Sequence, residues 1–225
     1  METQTGSYTP TQRTQVRRLP ARGVYDKMQV HAILDEGFIC HVGFAIDGQP
    51  YVIPTAYARS GEQIYIHGSP ASRLMRSQQE LDLCLTVTLV DGLVLARSAF
   101  HTSINYRSVM VVGKARHVTD IVEKWQALWC FTNHLIAGRW EQVKQPSEKE
   151  LKATSVLSLP LEEVSAKIRT GPPIDEEEDY ALPIWGGVVP LVQSLGEPLP
   201  DGRVLDGIAA PRIGRENLSR ESVER

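Results

Sequence analysis

The sequence is poor in cysteine. Its 225 residues include only Cys40, Cys84 and Cys130, and no two of them form a CxxC pair. That excludes a disulfide scaffold, a dithiol redox centre and a four-cysteine zinc knot. Cys40 and Cys84 sit in apolar strand patterns and Cys130 in a helical one, so all three read as buried free thiols suited to a reducing compartment. No apolar run is long enough to span a bilayer. The first residues, METQTGSYTPTQRTQVRR, lack the apolar core of a secretory signal. A cytoplasmic location is therefore expected. An excess of positive charge is also missing. The net charge is −3, which argues against a general nucleic-acid binder but leaves room for a small anion held by a few arginines.

Familiar catalytic signatures are absent too. There is no GxSxG elbow, no Walker lysine loop, and no GxGxxG turn between a strand and a helix. The six histidines, His31, His41, His67, His101, His117 and His134, show neither HxxxH nor HExxH spacing. No metal site is expected from them. If the protein performs redox chemistry, the reactive atom belongs to a cofactor and not to a side chain.

What is present is an ordinary soluble composition, 42% hydrophobic and 23% charged, with strand and turn signals in close succession. Residues 1–20 are polar and read as a flexible arm. Residues 21–195 form the domain, and residues 196–225 form a Pro/Gly-rich tail. Helical spacing runs over residues 24–34 and stops at Gly37. FICHVGFAI and PYVIPTAYA form a hairpin turning at Asp47-Gly48. QIYIHG is a third strand. LDLCLTVTLVD turns at Asp91-Gly92 into GLVLARSAF, and SVMVVGKARHV is another long strand. Residues 120–137 carry a helical stripe opened by Asp120 and closed by Gly138. Residues 147–150 read as a capping box. TSVLSLPL is a strand, EEVSAKIR a short helical or extended piece, and IWGGVVPLVQSL a late strand. The expected architecture is α+β: a six-stranded antiparallel split β-barrel with peripheral helices.

Three segments carry candidate chemistry. The first is QIYIHGSPASRLMR. Gly68 frees the backbone, Ser69 suits an N-cap, and Pro70 suits the first helical position of a short helix over 70–79. A helix start with Ser72 and Arg73 beside it is a seat for a phosphate. His67 ends the strand next to this turn and is a candidate ligand contact or proton donor; a half-buried histidine filling a strand end is an equally good reading. The second segment is HTSINYRSVMVVGKA, where Tyr106, Arg107 and Ser108 lead into a strand and Arg107 offers a second phosphate cation. The third is Trp185, flanked by Pro183 and Gly186-Gly187, which suits the cover of a flat ring or of a partner surface.

The order of CHVGF, YVIPTAY, IYIHGSPASR, VTLVDGLVLARSAF and NYRSVMVVGKAR resembles the pyridoxamine-5′-phosphate-oxidase-like family of FMN-binding split barrels. The branch most similar holds nitroimidazole-resistance and flavin-nucleotide-binding proteins. The resemblance covers residues 22–192. It implies a homodimer with FMN at the subunit interface. It further implies that the strand of Val52, Ile53, Pro54 and Thr55 lines the flavin ring, that the strand ending at His67 and the Ser72–Arg73 pair hold the ribityl phosphate, and that His67 is a candidate neighbour of the ligand, as in the nitroimidazole-resistance branch. Arg107 and Ser108 lie where the family makes further phosphate or ring contacts. Two departures stand out. Leu74 replaces the lysine that follows the Ser-Arg pair in the oxidase proper, with Arg76 one turn on, and the C-terminal substrate-phosphate motif is missing. Pyridoxamine phosphate is thus not the substrate this resemblance supports. A flavin-dependent oxidoreductase acting on a small organic molecule is the leading expectation. The alternatives are a flavin carrier or sensor without turnover, a haem-binding split barrel with His67 or His101 as axial ligand, and a deazaflavin cofactor.

Overall fold

A computed structural model describes residues 6–76 and 80–211. The strands in chain order are β1 (Gly23–Val24), β2 (Ile39–Ile46), β3 (Gln49–Ala56), β4 (Ala58–Ser60), β5 (Gln63–Gly68), β6 (Leu81–Leu95), β7 (Ser103–His117), β8 (Ser155–Pro160), β9 (Glu163–Arg169) and β10 (Gly187–Pro190). The helices are α1 (Lys27–Glu36), α2 (Ile121–Leu135) and α3 (Glu148–Ala153). Every strand pairing is antiparallel, along the path β3-β2-β6-β7-β8-β5-β4, with β9 joining β7 to β1 and β10 lying on β6. The sheet curls without closing, as a split barrel.

Local chemistry explains most of these elements. Asp47 and Gly48 both have positive φ, 51° and 78°, the geometry of the tight turn that matches strand twist. Asp26 caps α1 by accepting from Gln29 N, and Asp120 caps α2 by accepting from Val122 N and Glu123 N. The capping box of α3 forms between Ser147 and Glu150. Alternation on β2 and β6 turns Cys40, Val42, Leu85 and Val87 inward, where they meet Val30 and Leu34 of α1 and Val111, Leu157, Leu159 and Val164. Phe44 stacks on Tyr51 across the hairpin at 5.6 Å. A second, smaller cluster of Tyr65, Val118, Ala127 and Val156 seats α2 on the outside of β5 and β8.

Three expectations are corrected. Asp91-Gly92 does not turn the chain. Both flanking segments belong to β6, which pairs with β7 along its whole length, and a bulge between Val90 and Gly92 absorbs the irregularity. The glycine serves a different purpose, because a Cβ there would lie 3.0 Å from Val189 O on β10. The segment after Gly68 is not a helix within the described residues. It makes two successive turns, Ser72 N to Ser69 O and Met75 N to Ser72 O. Burial of Leu74 and Met75 in the main core dictates that path. Residues 77–79 of the expected helix lie outside the described residues. The arm expected to be flexible is anchored where it is described. Tyr8 is buried and donates to Glu62, Thr11 Oγ1 donates to Glu163, and Val16 N donates to Tyr25 Oη.

Candidate functional site

Strand alternation sorts the predicted site residues onto different faces. Opposite the core, one continuous outer face runs across β3, β2, β6, β7 and β9. The register sets Pro54 beside His41, His41 beside Thr86, Thr86 beside Met110, and Met110 beside Ser165. Thr88 pairs with Ser108, and Val90 with Tyr106. Two hollows open on this face. One, of about 600 Å³, is lined by Thr88, Val90, Ile104, Tyr106 and Ser108 among others. Its neighbour, of about 420 Å³, shares Thr88 and Ser108 and adds Thr86, Met110, Ser165 and Lys167, with Arg17 and Arg18 of the N-terminal segment at its edge. The lining mixes flat and apolar groups with hydroxyls, which suits an aromatic ring carrying polar substituents.

Tyr106 and Ser108 line the larger hollow, and Ser108 Oγ donates to Lys167 O. Pro54 shares their face, whereas Ile53 packs toward the core from β3 and Thr55 sits opposite buried Cys40. Arg107 takes the other side of β7. Its guanidinium donates to both carboxylate oxygens of Glu36 and to Asp91, the latter at 2.7 Å, and these partners push its pKa further up. It lines a small hollow of about 170 Å³ with Asp35, Glu36, Asp91 and His134. An arginine already shared between two carboxylates has little left to offer a phosphate.

The Ser69–Arg73 turn is held from below by Leu74 and Met75. Ser69 Oγ accepts from Ala71 N at 3.3 Å. Gly68 brings Ser72 Oγ close, 3.8 Å from where a Cβ would stand. The Arg73 guanidinium lies over the Tyr51 ring of β3, 4.2 Å from its centroid, an attraction suited to a cation free of carboxylates. The structure thus brings Arg73 to β3 and leaves Arg107 elsewhere. His67 packs edge-on to Phe131 of α2, with centroids 4.1 Å apart. Among the described residues its Nδ1 is buried without a hydrogen-bond partner, and burial holds its pKa below the usual histidine value. Burial thus favours the neutral imidazole, the form that coordinates a metal. His101 Nε2 lies 3.4 Å from Glu176, beside the exposed Phe100. Trp185 is exposed, and its ring lies against Gly187, where a Cβ would come within 2.7 Å.

Sequence reasoning passed over the cations at the outer face: Arg17, Arg18, Arg22, Lys167 and Arg169. The signals were there, an acid-free run from Arg13 to Arg22 and a Lys-x-Arg spacing that puts Lys167 and Arg169 two apart on a strand. Among the described residues there is no group of histidine, cysteine and carboxylate side chains able to hold a metal ion, and no helix is long and apolar enough to cross a membrane.

Comparison with known proteins agrees with this geometry. The chain matches the pyridoxamine 5′-phosphate oxidase family over residues 26–168. The flavocytochrome Anf3 of Azotobacter vinelandii is 44% identical, with a TM-score of 0.85 over 94% of this chain and 97% of that one. A FAD- and haem-binding protein of Mycobacterium smegmatis is 32% identical, with a TM-score of 0.82 over 87% and 96%. A 5-nitroimidazole antibiotic resistance protein of Bacteroides thetaiotaomicron, 23% identical with a TM-score of 0.54 over 65% and 86%, shares the fold. No curated protein sequence matches the chain. The motif order, the split barrel and the match over residues 26–168 agree: the chain belongs to the pyridoxamine 5′-phosphate oxidase-like family of split-barrel proteins.

Proposed function

We propose that this protein is a flavin-dependent oxidoreductase that works as a homodimer, with the flavin on the outer sheet face. The observation that carries this reading is the hollow bounded by Thr88, Val90, Ile104, Tyr106 and Ser108. It has the size for a planar ring, and it lies on the face where Ile39 and Val52 are 49% and 69% exposed. Apolar side chains left in water on one face are stabilised when a second copy covers them, and that copy would close the open side of the hollow.

A bound flavin supplies hydride or single-electron transfer to a small organic substrate. The chain's own residues hold and orient it. Tyr106 and Val90 would give the ring an apolar floor and Thr88 and Ser108 would offer hydroxyls to its polar edge; Ser69, Ser72 and Arg73, which sit beside Tyr51 of the edge strand β3 and outside this hollow, would offer donors to the ribityl phosphate. Two solved structures above 30% identity are named for flavin, or for FAD, together with haem, which supports flavin as the cofactor class. Purified protein should show a two-banded flavin spectrum, and mass analysis of the acid-released cofactor separates FMN, FAD and deazaflavin. Turnover of a reduced nicotinamide with a nitroaromatic or quinone acceptor would separate an enzyme from a carrier.

A second reading, that the chain also holds haem, rests on His67. A neutral imidazole with a buried, unpartnered Nδ1 is a poor structural histidine and a suitable axial ligand. The 44% identical neighbour is a flavocytochrome. A Soret band lost in His67→Ala while the flavin bands remain would support this reading. A haem content unchanged by that substitution would move the ligand elsewhere.

A further inference from the structure

Arg17, Arg18, Arg22, Lys167 and Arg169 lie at one edge of the outer face, where β1 pairs with β9 through Gly23 and Lys167. Among the described residues, none of the five has a carboxylate within ion-pairing distance. The other arginine of this edge, Arg13, is matched by Glu163. In a protein of net charge −3, five uncompensated cations in one place are a departure from the average surface.

Arg169 is the extreme case. It is only 7% exposed, its Nε is buried without a partner among the described residues, and its Nη1 donates to two neutral oxygens, Asn105 Oδ1 and Gly171 O. A buried guanidinium without a counter-ion is costly. Burial first, and then repulsion from Arg22, push its pKa down. The backbone beside this group is strained as well. Leu19, between Arg18 and Arg22, adopts φ 57° and ψ 63°, a left-handed conformation that a branched residue rarely takes. A ligand that brings negative charge would offset the unpaired cations, and strained backbone of this kind clusters at ligand clamps.

We infer that this edge is a nucleotide-phosphate site. Arg17, Arg18 and Lys167 sit at the 420 Å³ hollow, and Arg22 and Arg169 lie just beyond it. Tyr106, which pairs with Arg169 across β7 and β9, also lines the adjoining 600 Å³ hollow. Cations beside a mixed apolar and hydroxyl floor match a molecule with phosphates at one end and a planar base or ring at the other. The inference rests on the flavin reading for the occupant of the larger hollow. The phosphates then come from one of two sources, the adenylate half of FAD or a free nucleotide such as the nicotinamide donor.

The test uses full-length protein stripped of flavin, titrated with FMN, FAD, ADP and NADP⁺ by calorimetry. Wild type is compared with the exposed double variant Arg17→Ala/Arg18→Ala, with Lys167→Ala and with Arg169→Met, circular dichroism reporting folding. If the adenylate of FAD is the occupant, FAD affinity falls on the order of tenfold per cation removed and FMN affinity does not change. If a free nucleotide is the occupant, ADP and NADP⁺ weaken instead, and FAD tracks FMN. Affinities for FAD, ADP and NADP⁺ that are all unchanged in the folded Arg17→Ala/Arg18→Ala and Lys167→Ala proteins would overturn the inference. A protein that binds no flavin yet loses ADP affinity in these variants would refute the flavin reading and leave the phosphate site standing.

Discussion

Arg107 of β7 is bound to Glu36, the last residue of α1, with Nη2 2.8 Å from Oε1. Asp91 completes the arrangement from β6. Two carboxylates from separate elements converge on one half-buried guanidinium, so this arginine fastens α1 to the sheet. Removing it leaves Glu36 and Asp91 facing each other. Arg107→Ala should destabilise the fold by on the order of 1–3 kcal/mol, seen as a lower denaturant midpoint, and should change flavin affinity by less than threefold. A loss of FMN affinity with unchanged stability would return Arg107 to the phosphate.

Arg73 is the opposite case. It rests on Tyr51, and among the described residues no carboxylate lies against it. Arg73→Ala should lower FMN affinity on the order of 10- to 100-fold and leave riboflavin binding unchanged, because riboflavin has no phosphate. Equal losses for both ligands would show that Arg73 only shapes the turn.

Gly37 ends α1 in a crowded place. A Cβ there would meet Val87 Cγ1 at 2.6 Å and Tyr57 Oη at 2.9 Å. The Tyr57 hydroxyl is not free to move, since it donates to Leu34 O at 2.6 Å in the core. Gly37→Ala should therefore cost roughly 1–3 kcal/mol by overpacking. Thermal unfolding that matches wild type would contradict this packing.

The pH dependence of the apoprotein follows from His67 and His31, both held below the ordinary histidine value, chiefly by burial. The unfolded chain takes up their protons at about 6.5, whereas the folded chain resists until lower pH. Stability is therefore full above about pH 6.5 and falls as the solution becomes more acidic. His67→Gln should flatten that acid slope in part, His31 supplying the rest. An acid slope identical to wild type would mean that His67 is protonated in the folded state.

How much of this was legible in the sequence depends on the range of the interaction concerned. The Asp47-Gly48 hairpin, the Asp120 cap and the Ser147–Glu150 box are local devices and could be read directly. Asp91-Gly92 carries the same local signal as Asp47-Gly48, yet the long pairing of β6 with β7 overrides it, and the approach of β10 explains the glycine. Pro70 promises a helix, but burial of Leu74 and Met75 pulls the chain into consecutive turns. Arg107 was legible as a strand arginine. Its two carboxylates come from 71 and 16 residues away, so its engagement was not. Arg17 and Arg18 were assigned to a loose arm because their neighbour, β9, lies about 150 residues further along the chain.

The outer sheet face around Tyr106 and Ser108 is proposed to bind a flavin between two copies of the chain. The most direct measurement is the flavin content and molar mass of purified protein, read together by absorbance and light scattering on one column, for wild type and Ser108→Trp. Purified wild type should be a dimer carrying about one flavin per chain, and Ser108→Trp should be folded but colourless. A wild-type protein that takes up neither FMN nor FAD at micromolar concentration, or a Ser108→Trp variant with full flavin content, would contradict that proposal.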